Sequence, residues 1–238
     1  MSQSALSLRV SNWLSGAPRT DWRSMLGLWD HRKSQPLEQA RYVVIDTELT
    51  GLNRRHDAVI ALGAIRMQGP RILMGQTFYT LVNPERKLDP DNVLVHRIRP
   101  SELTHQPTID IALRRLQEFV GDDVLVGHFV QLDRSFLNRD MQRYLGQPLQ
   151  NPQVDTCQVS QWMDEQQRGL YSARRAYGVE LSDYNLFALA ERYHIHVQDA
   201  HHALYDAFLT ARLWQRFLAD LPALGVSRLG DALAIAGR

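Results

Sequence analysis

Apolar and polar positions alternate along the chain in runs that predict a mixture of strands and helices. Tyr42–Ile45 is a short apolar, β-rich run and predicts a buried strand ending at Asp46, before Gly51-Leu52-Asn53 turns the chain. Ala58–Met67 and Ile72–Val82 predict two more strands, with Gln68-Gly69-Pro70 between them as a hairpin turn. Apolar residues at 109, 112, 113, 116, 119 and 120 form a helical stripe over Ile109–Val120. Val124–Val126 then predicts a short buried strand closed by Gly127. A helix over Asp133–Leu145 follows, with Phe136, Leu137, Met141, Tyr144 and Leu145 facing inward. Val154–Asp155 is another strand end, and Leu186–Tyr193 and Ala203–Leu218 are helices. Strands first, then strands interleaved with helices, indicate an α/β domain.

The two ends differ from this pattern. Residues 1–38 carry Trp13, Trp22 and Trp29, and Trp22, Met25, Leu26 and Trp29 recur at helical spacing. They read as an N-terminal extension holding a short amphipathic helix that packs on the domain, with a partner-docking segment and disorder as the alternatives. Residues 39–220 form the domain. Residues 221–238, with Pro222 and several glycines, read as a peripheral tail.

Composition narrows the class only a little. The 238 residues suffice for one domain with a substantial core. Lys plus Arg (27) and Asp plus Glu (26) nearly cancel, so no basic field announces nucleic acid. A basic rim around an acidic pocket would give the same balance. Cys157 is the lone cysteine, which rules out an internal disulfide and a cysteine-pair zinc site and points to a reducing compartment. There is no apolar run of about 18 residues and no signal-peptide pattern at the N-terminus, so the expectation is a soluble, cytoplasmic protein that does not enter a membrane.

The candidate chemistry lies in four carboxylates and a histidine. Asp46 and Glu48 lie two apart on an extended backbone, so both leave the strand end on one face. Side by side they repel unless a cation is shared. Taken alone, Asp-Thr-Glu reads rather as a solvated acidic turn, and the pair becomes specific only with its companions. Asp133 follows a strand and a glycine near a helix start, where a capping acid is also common. His201 precedes Asp206 by five residues, which puts the histidine on the loop or first turn above a helical carboxylate. Oxygen donors of this kind suit hard cations such as Mg²⁺, and histidine suits proton removal from water. His194, His196, His201 and His202 cluster in sequence without the cysteine pair or H-E-x-x-H of a zinc site.

Together, Asp46-Thr47-Glu48, the segment His128–Asp133 and the pair His201/Asp206 resemble, in order and spacing, the three motifs of the DnaQ-like DEDDh 3′–5′ exonucleases. That family includes the proofreading subunit of bacterial DNA polymerase III. The likeness spans about residues 40–218. It implies an RNase H-like fold, with a central mixed five-stranded sheet flanked by helices. It implies that Asp46, Glu48, Asp133 and Asp206 hold two Mg²⁺ ions, with Mn²⁺ able to substitute, and that His201 is the general base. The activity so implied is hydrolysis of the 3′-terminal phosphodiester of DNA, at single-stranded or frayed ends, to nucleoside 5′-monophosphates. DNA is favoured over RNA, and a polymerase or repair partner fits the family. An RNA-trimming exonuclease and a non-catalytic nucleic-acid-binding module are the alternatives. Leu49 stands where the family has a small residue, and Phe129 departs from its usual His-Asn. Leu49 and Phe129 are candidates to stack on the terminal nucleotide, and Thr47 and His96 join them as candidate substrate contacts.

Overall fold

The computed structural model describes residues 32–86, 97–170, 181–198 and 201–236. The helix expected around Trp22–Trp29, and His96, lie outside the described residues.

Five strands form one sheet in the order β3-β2-β1-β4-β5. They are β1 (Arg41–Leu49), β2 (Val59–Gln68), β3 (Arg71–Leu81), β4 (Val124–Gly127) and β5 (Gln153–Asp155). β2 runs antiparallel to both β1 and β3, while β4 pairs parallel with β1 and β5 parallel with β4. This is the mixed, helix-flanked sheet expected from the sequence. The interior of β1 reads as a continuous apolar run because both of its faces are covered. Tyr42 and Val44 enter one core layer, and Val43 and Ile45 enter the other.

Seven α-helices are found among the described residues: α1 (Pro100–Leu103), α2 (Ile109–Val120), α3 (Val130–Leu145), α4 (Thr156–Leu170), α5 (Leu186–Arg192), α6 (Ala203–Asp220) and α7 (Leu229–Ala236). α2 and α3 fill the layer behind Val43 and Ile45, using the stripe Ala112, Leu113, Leu116 and Val120 against Phe136, Leu137 and Met141. α6 crosses the opposite face over β1, β2 and β3, where Trp214 meets Tyr42 edge-on at 5.6 Å. Its approach is close at Gly63, where a Cβ would lie 2.3 Å from the Ala203 carbonyl carbon. A glycine there lets the start of α6 rest on the sheet.

Three expectations need correction. α3 starts at Val130, ahead of Asp133, because the Asp155 carboxylate accepts the backbone N–H of Phe129 (3.2 Å) and of Val130 (3.1 Å). Tyr144, expected inward, is 38% exposed on the last turn of α3, with the Arg143 guanidinium over its ring. Residues 221–236 are not peripheral. Leu221, Val226, Leu229, Ala232 and Ile235 belong to the larger core cluster, and α7 packs on β5 and α4. Gly225 ends a short 3-10 turn in the left-handed region, which frees the apolar positions after it to form a helix. No helix of the described residues is long and apolar enough to cross a membrane.

Candidate active site

Strand alternation sorts the residues of the first motif. Asp46 and Glu48 share the face of Tyr42 and Val44, towards α6, while Thr47 points towards α3. Asp206, in the first turn of α6, reaches the same place from above. One oxygen from each of Asp46, Glu48 and Asp206 lies within 4.8 Å of the others. Glu48 and Asp206 are buried, and Asp46 is partly so.

Burial raises the pKa of Asp46 well above the carboxylate range, and the charges of Asp133, Asp206 and Glu48 push in the same direction. Burial, then Asp206 and Asp133, raise Glu48 to about 8. Without a counter-ion Glu48 holds its proton at neutral pH, and the neighbouring carboxylates disfavour one another's ionisation. The donor set fits a hard divalent cation, since it is made wholly of carboxylate oxygens gathered in one place.

Asp133 sits on the other side of the strand end, in the first turn of α3. Its Oδ1 accepts the Thr47 hydroxyl at 2.5 Å. Burial pushes it up to about 7, against the opposing effect of that hydroxyl. The three-carboxylate group does not include it, although its charge is felt at Asp46.

His201 and His202 separate cleanly. His201 adopts φ 67° and donates its backbone N–H to Asp206 Oδ2 at 3.0 Å. Its exposed ring stands edge-on to Phe187 at 5.3 Å and borders the cleft that holds Asp46, Glu48 and Asp206. His202 is the N-cap of α6. Its Nδ1 accepts the Tyr205 N–H at 3.4 Å, and its ring stacks on Tyr79.

The cleft has a volume of about 220 Å³. Thr47, Phe129 and Phe187 line it beside the acids. Phe129 is 42% exposed and sits at φ 53°, a conformation that costs free energy in a non-glycine residue. Asp155 holds it there through its backbone N–H. Beneath it His128 is buried between Thr156 Oγ1 (2.8 Å) and the Tyr184 carbonyl (2.8 Å). The carbonyl can only accept, so Nε2 carries the proton. Burial pulls this imidazole down to about 4, which keeps it neutral. Leu49 does not line the cleft. Alternation places it with Ile45 and Thr47, half-buried against the α2/α3 layer. Phe187 and His128 were not among the expected site residues. Asn185, whose side chain caps α5 by accepting the Ala188 N–H, is the one sequence signal for the segment that brings Phe187 in.

Residues 43–214 match the RNase T exonuclease family. The ε subunit of DNA polymerase III from Aquifex aeolicus is 33% identical over 180 residues, covering 76% of this chain and 81% of that protein. The PolC-type DNA polymerase III of Bacillus subtilis is 30% identical over 191 residues, 80% of this chain and 12% of the polymerase, so the chain matches only a small part of that enzyme. Among solved structures, exonuclease X in complex with 5′-overhanging duplex DNA is similar, with a TM-score of 0.57 and 21% identity over 82% of this chain and 99% of that one. With the motifs, the acidic cluster and these likenesses in agreement, the chain belongs to the RNase T/DnaQ family and is a 3′–5′ exonuclease.

Proposed function

We propose that this enzyme removes nucleotides from the 3′ ends of DNA, acting on single-stranded or frayed ends and releasing nucleoside 5′-monophosphates. One observation carries the reading: three carboxylates converge within 4.8 Å in an open cleft that His201 borders. Asp46, Glu48 and Asp206 would hold divalent cations, Mg²⁺ by preference with Mn²⁺ as substitute, and Asp133 would complete a two-ion site. Bound cations supply Lewis acidity towards the scissile phosphodiester and its attacking water. His201 accepts the proton of that water. Its backbone N–H tie to Asp206 fixes the loop beside the acids. Asp133, oriented by Thr47, adds negative charge on the α3 side. Phe129 and Phe187 offer apolar walls to a terminal base, so the terminal nucleotide has to leave any duplex to enter.

DNA as the substrate, and work alongside a polymerase, are supported by the nature of the relatives: one is a subunit of DNA polymerase III, one is a PolC-type DNA polymerase III, and the solved structure holds duplex DNA. The test uses 5′-labelled single-stranded DNA, duplex DNA and RNA, incubated with Mg²⁺, Mn²⁺ or EDTA. DNA ladders shortening stepwise from the 3′ end are expected with either cation. Faster trimming of RNA than of DNA would overturn the substrate assignment, and internal cuts in a circular single strand would overturn the exonuclease reading.

A further inference from the structure

We propose that Tyr79, on the edge strand β3, is a stacking platform for a base of the substrate strand just outside the cleft that takes the terminal nucleotide. The inference rests on the nuclease reading above and adds a second contact to it. The sheet register places the residue. Asp46 pairs with Gly63 on β2, and Gly63 pairs with Tyr79 on β3. Tyr79 therefore leaves the same face as Asp46 two strands away, with backbones about 10 Å apart at the usual strand spacing. The Glu48 charge reaches its phenol and, after burial, helps to raise its pKa.

The ring is held as a platform would be. His202 stacks on it with centroids 4.7 Å apart and planes 20° from parallel. His202 is itself fixed, because it caps α6 through its Nδ1. Gly63 brings the start of α6 down onto the sheet beside this pair. One face of the phenol is thus covered, yet Tyr79 remains 40% exposed. By contrast, its neighbour Phe78 points to the other face and packs against Phe119. A pre-set aromatic ring at the rim of an acidic nuclease cleft offers a flat apolar face without needing to read a base's identity. Stacked nucleotides advance about 3.4 Å each along a strand, so about 10 Å corresponds to roughly three steps and to a nucleotide within the first four from the 3′ end.

A cycle between enzyme and substrate tests this. Wild-type, Tyr79→Ala and Tyr79→Phe proteins are given single-stranded oligonucleotides carrying one abasic site at each of the last four positions in turn. Tyr79→Ala should raise KM roughly ten-fold with kcat changed about two-fold or less, the effect of losing one stacked base. Tyr79→Phe should restore wild-type KM, because the ring and not the hydroxyl is used. At one position the abasic site should cost the wild type the same factor and cost Tyr79→Ala nothing further. Abasic penalties that are the same in Tyr79→Ala as in the wild type at every position would overturn the proposal, even if the variant were less stable or less active. If the wild type cut no strand at all, the nuclease reading would be the one to fall. Equilibrium binding of the same oligonucleotides would then decide for or against Tyr79 by the same cycle.

Discussion

The Thr47 hydroxyl donates to Asp133 Oδ1 at 2.5 Å, linking the residue between the two first-motif acids to the acid of the second motif. β1 and α3 are thereby joined at the point where both meet the cleft. Thr47, expected from sequence to touch substrate, has its hydroxyl engaged in positioning a carboxylate. Thr47→Val keeps the shape and removes the donor. A hydrogen bond to a charged group contributes about 1.5–3 kcal/mol, so a ten-fold or larger loss of kcat is expected. Thr47→Ser should retain most activity. Equal kcat in the Val and wild-type enzymes would show that Asp133 is oriented by other means.

Metal and pH should be coupled in stability. Without cations, Glu48 (about 8) and Asp133 (about 7) sit above ordinary carboxylate values in the folded state. The folded chain then binds more protons than the unfolded one from about pH 4 upward, so these groups make stability fall as pH rises towards 8. Mg²⁺ favours the ionised forms and opposes that fall. The rise in Tm on adding Mg²⁺ should be larger at pH 8 than at pH 5. A rise of the same size at both would separate these carboxylates from the metal.

Removing a ligand should abolish chemistry more than folding. Asp46→Ala and Asp206→Ala should each lose roughly a thousand-fold or more in rate, several kcal/mol of barrier, and EDTA should silence the wild type. Single-turnover rates on a labelled oligonucleotide measure this. Undiminished cleavage by either variant would falsify the assignment.

The adjacent histidines should behave differently. His201→Ala is expected to lose about 10²–10⁴-fold in turnover, as for a general base. His202→Ala should cost about 0.5–2 kcal/mol of stability through the lost cap, with a far smaller loss of turnover. Denaturant titrations and kcat on both variants settle it, and similar kcat losses would mean the base is misassigned.

Gly63→Ala should show how closely α6 must sit. Its Cβ would meet the Ala203 backbone at 2.3 Å. Crowding of this kind costs about 1–3 kcal/mol, and the displaced helix start carries Asp206 with it. Loss of both Tm and activity is expected; a neutral Tm would mean that α6 can lift without penalty.

Much of this architecture was readable from residue pattern because local physics decided it. β1 is a continuous apolar run and α2 a 3.6-period stripe, and both form where that pattern sets them. Other features depend on distant partners. The start of α3 is set by Asp155, 26 residues further along the chain, through its bonds to Phe129 and Val130. The helix after Gly225 was hidden by glycine and proline punctuation that outweighed a short apolar stripe. The carboxylates stood out because charge is conspicuous in a strand. Phe187 and Tyr79 did not, since an aromatic residue in a regular element suggests core first. The direction of Thr47 followed from alternation but needed α3 in place to acquire meaning.

Asp46 lies on the first strand of the sheet, while His201 and Asp206 arrive with α6 near the end of the chain. A growing polypeptide therefore carries Asp46 and Glu48, two of the three clustered carboxylates, before Asp206 joins them as α6 settles over Gly63. Until then the cluster lacks the oxygens of Asp206 and, on the proposed reading, the base as well. On the proposed reading cleavage is tied to completion of the fold, and a chain cut short before α6 should be inert.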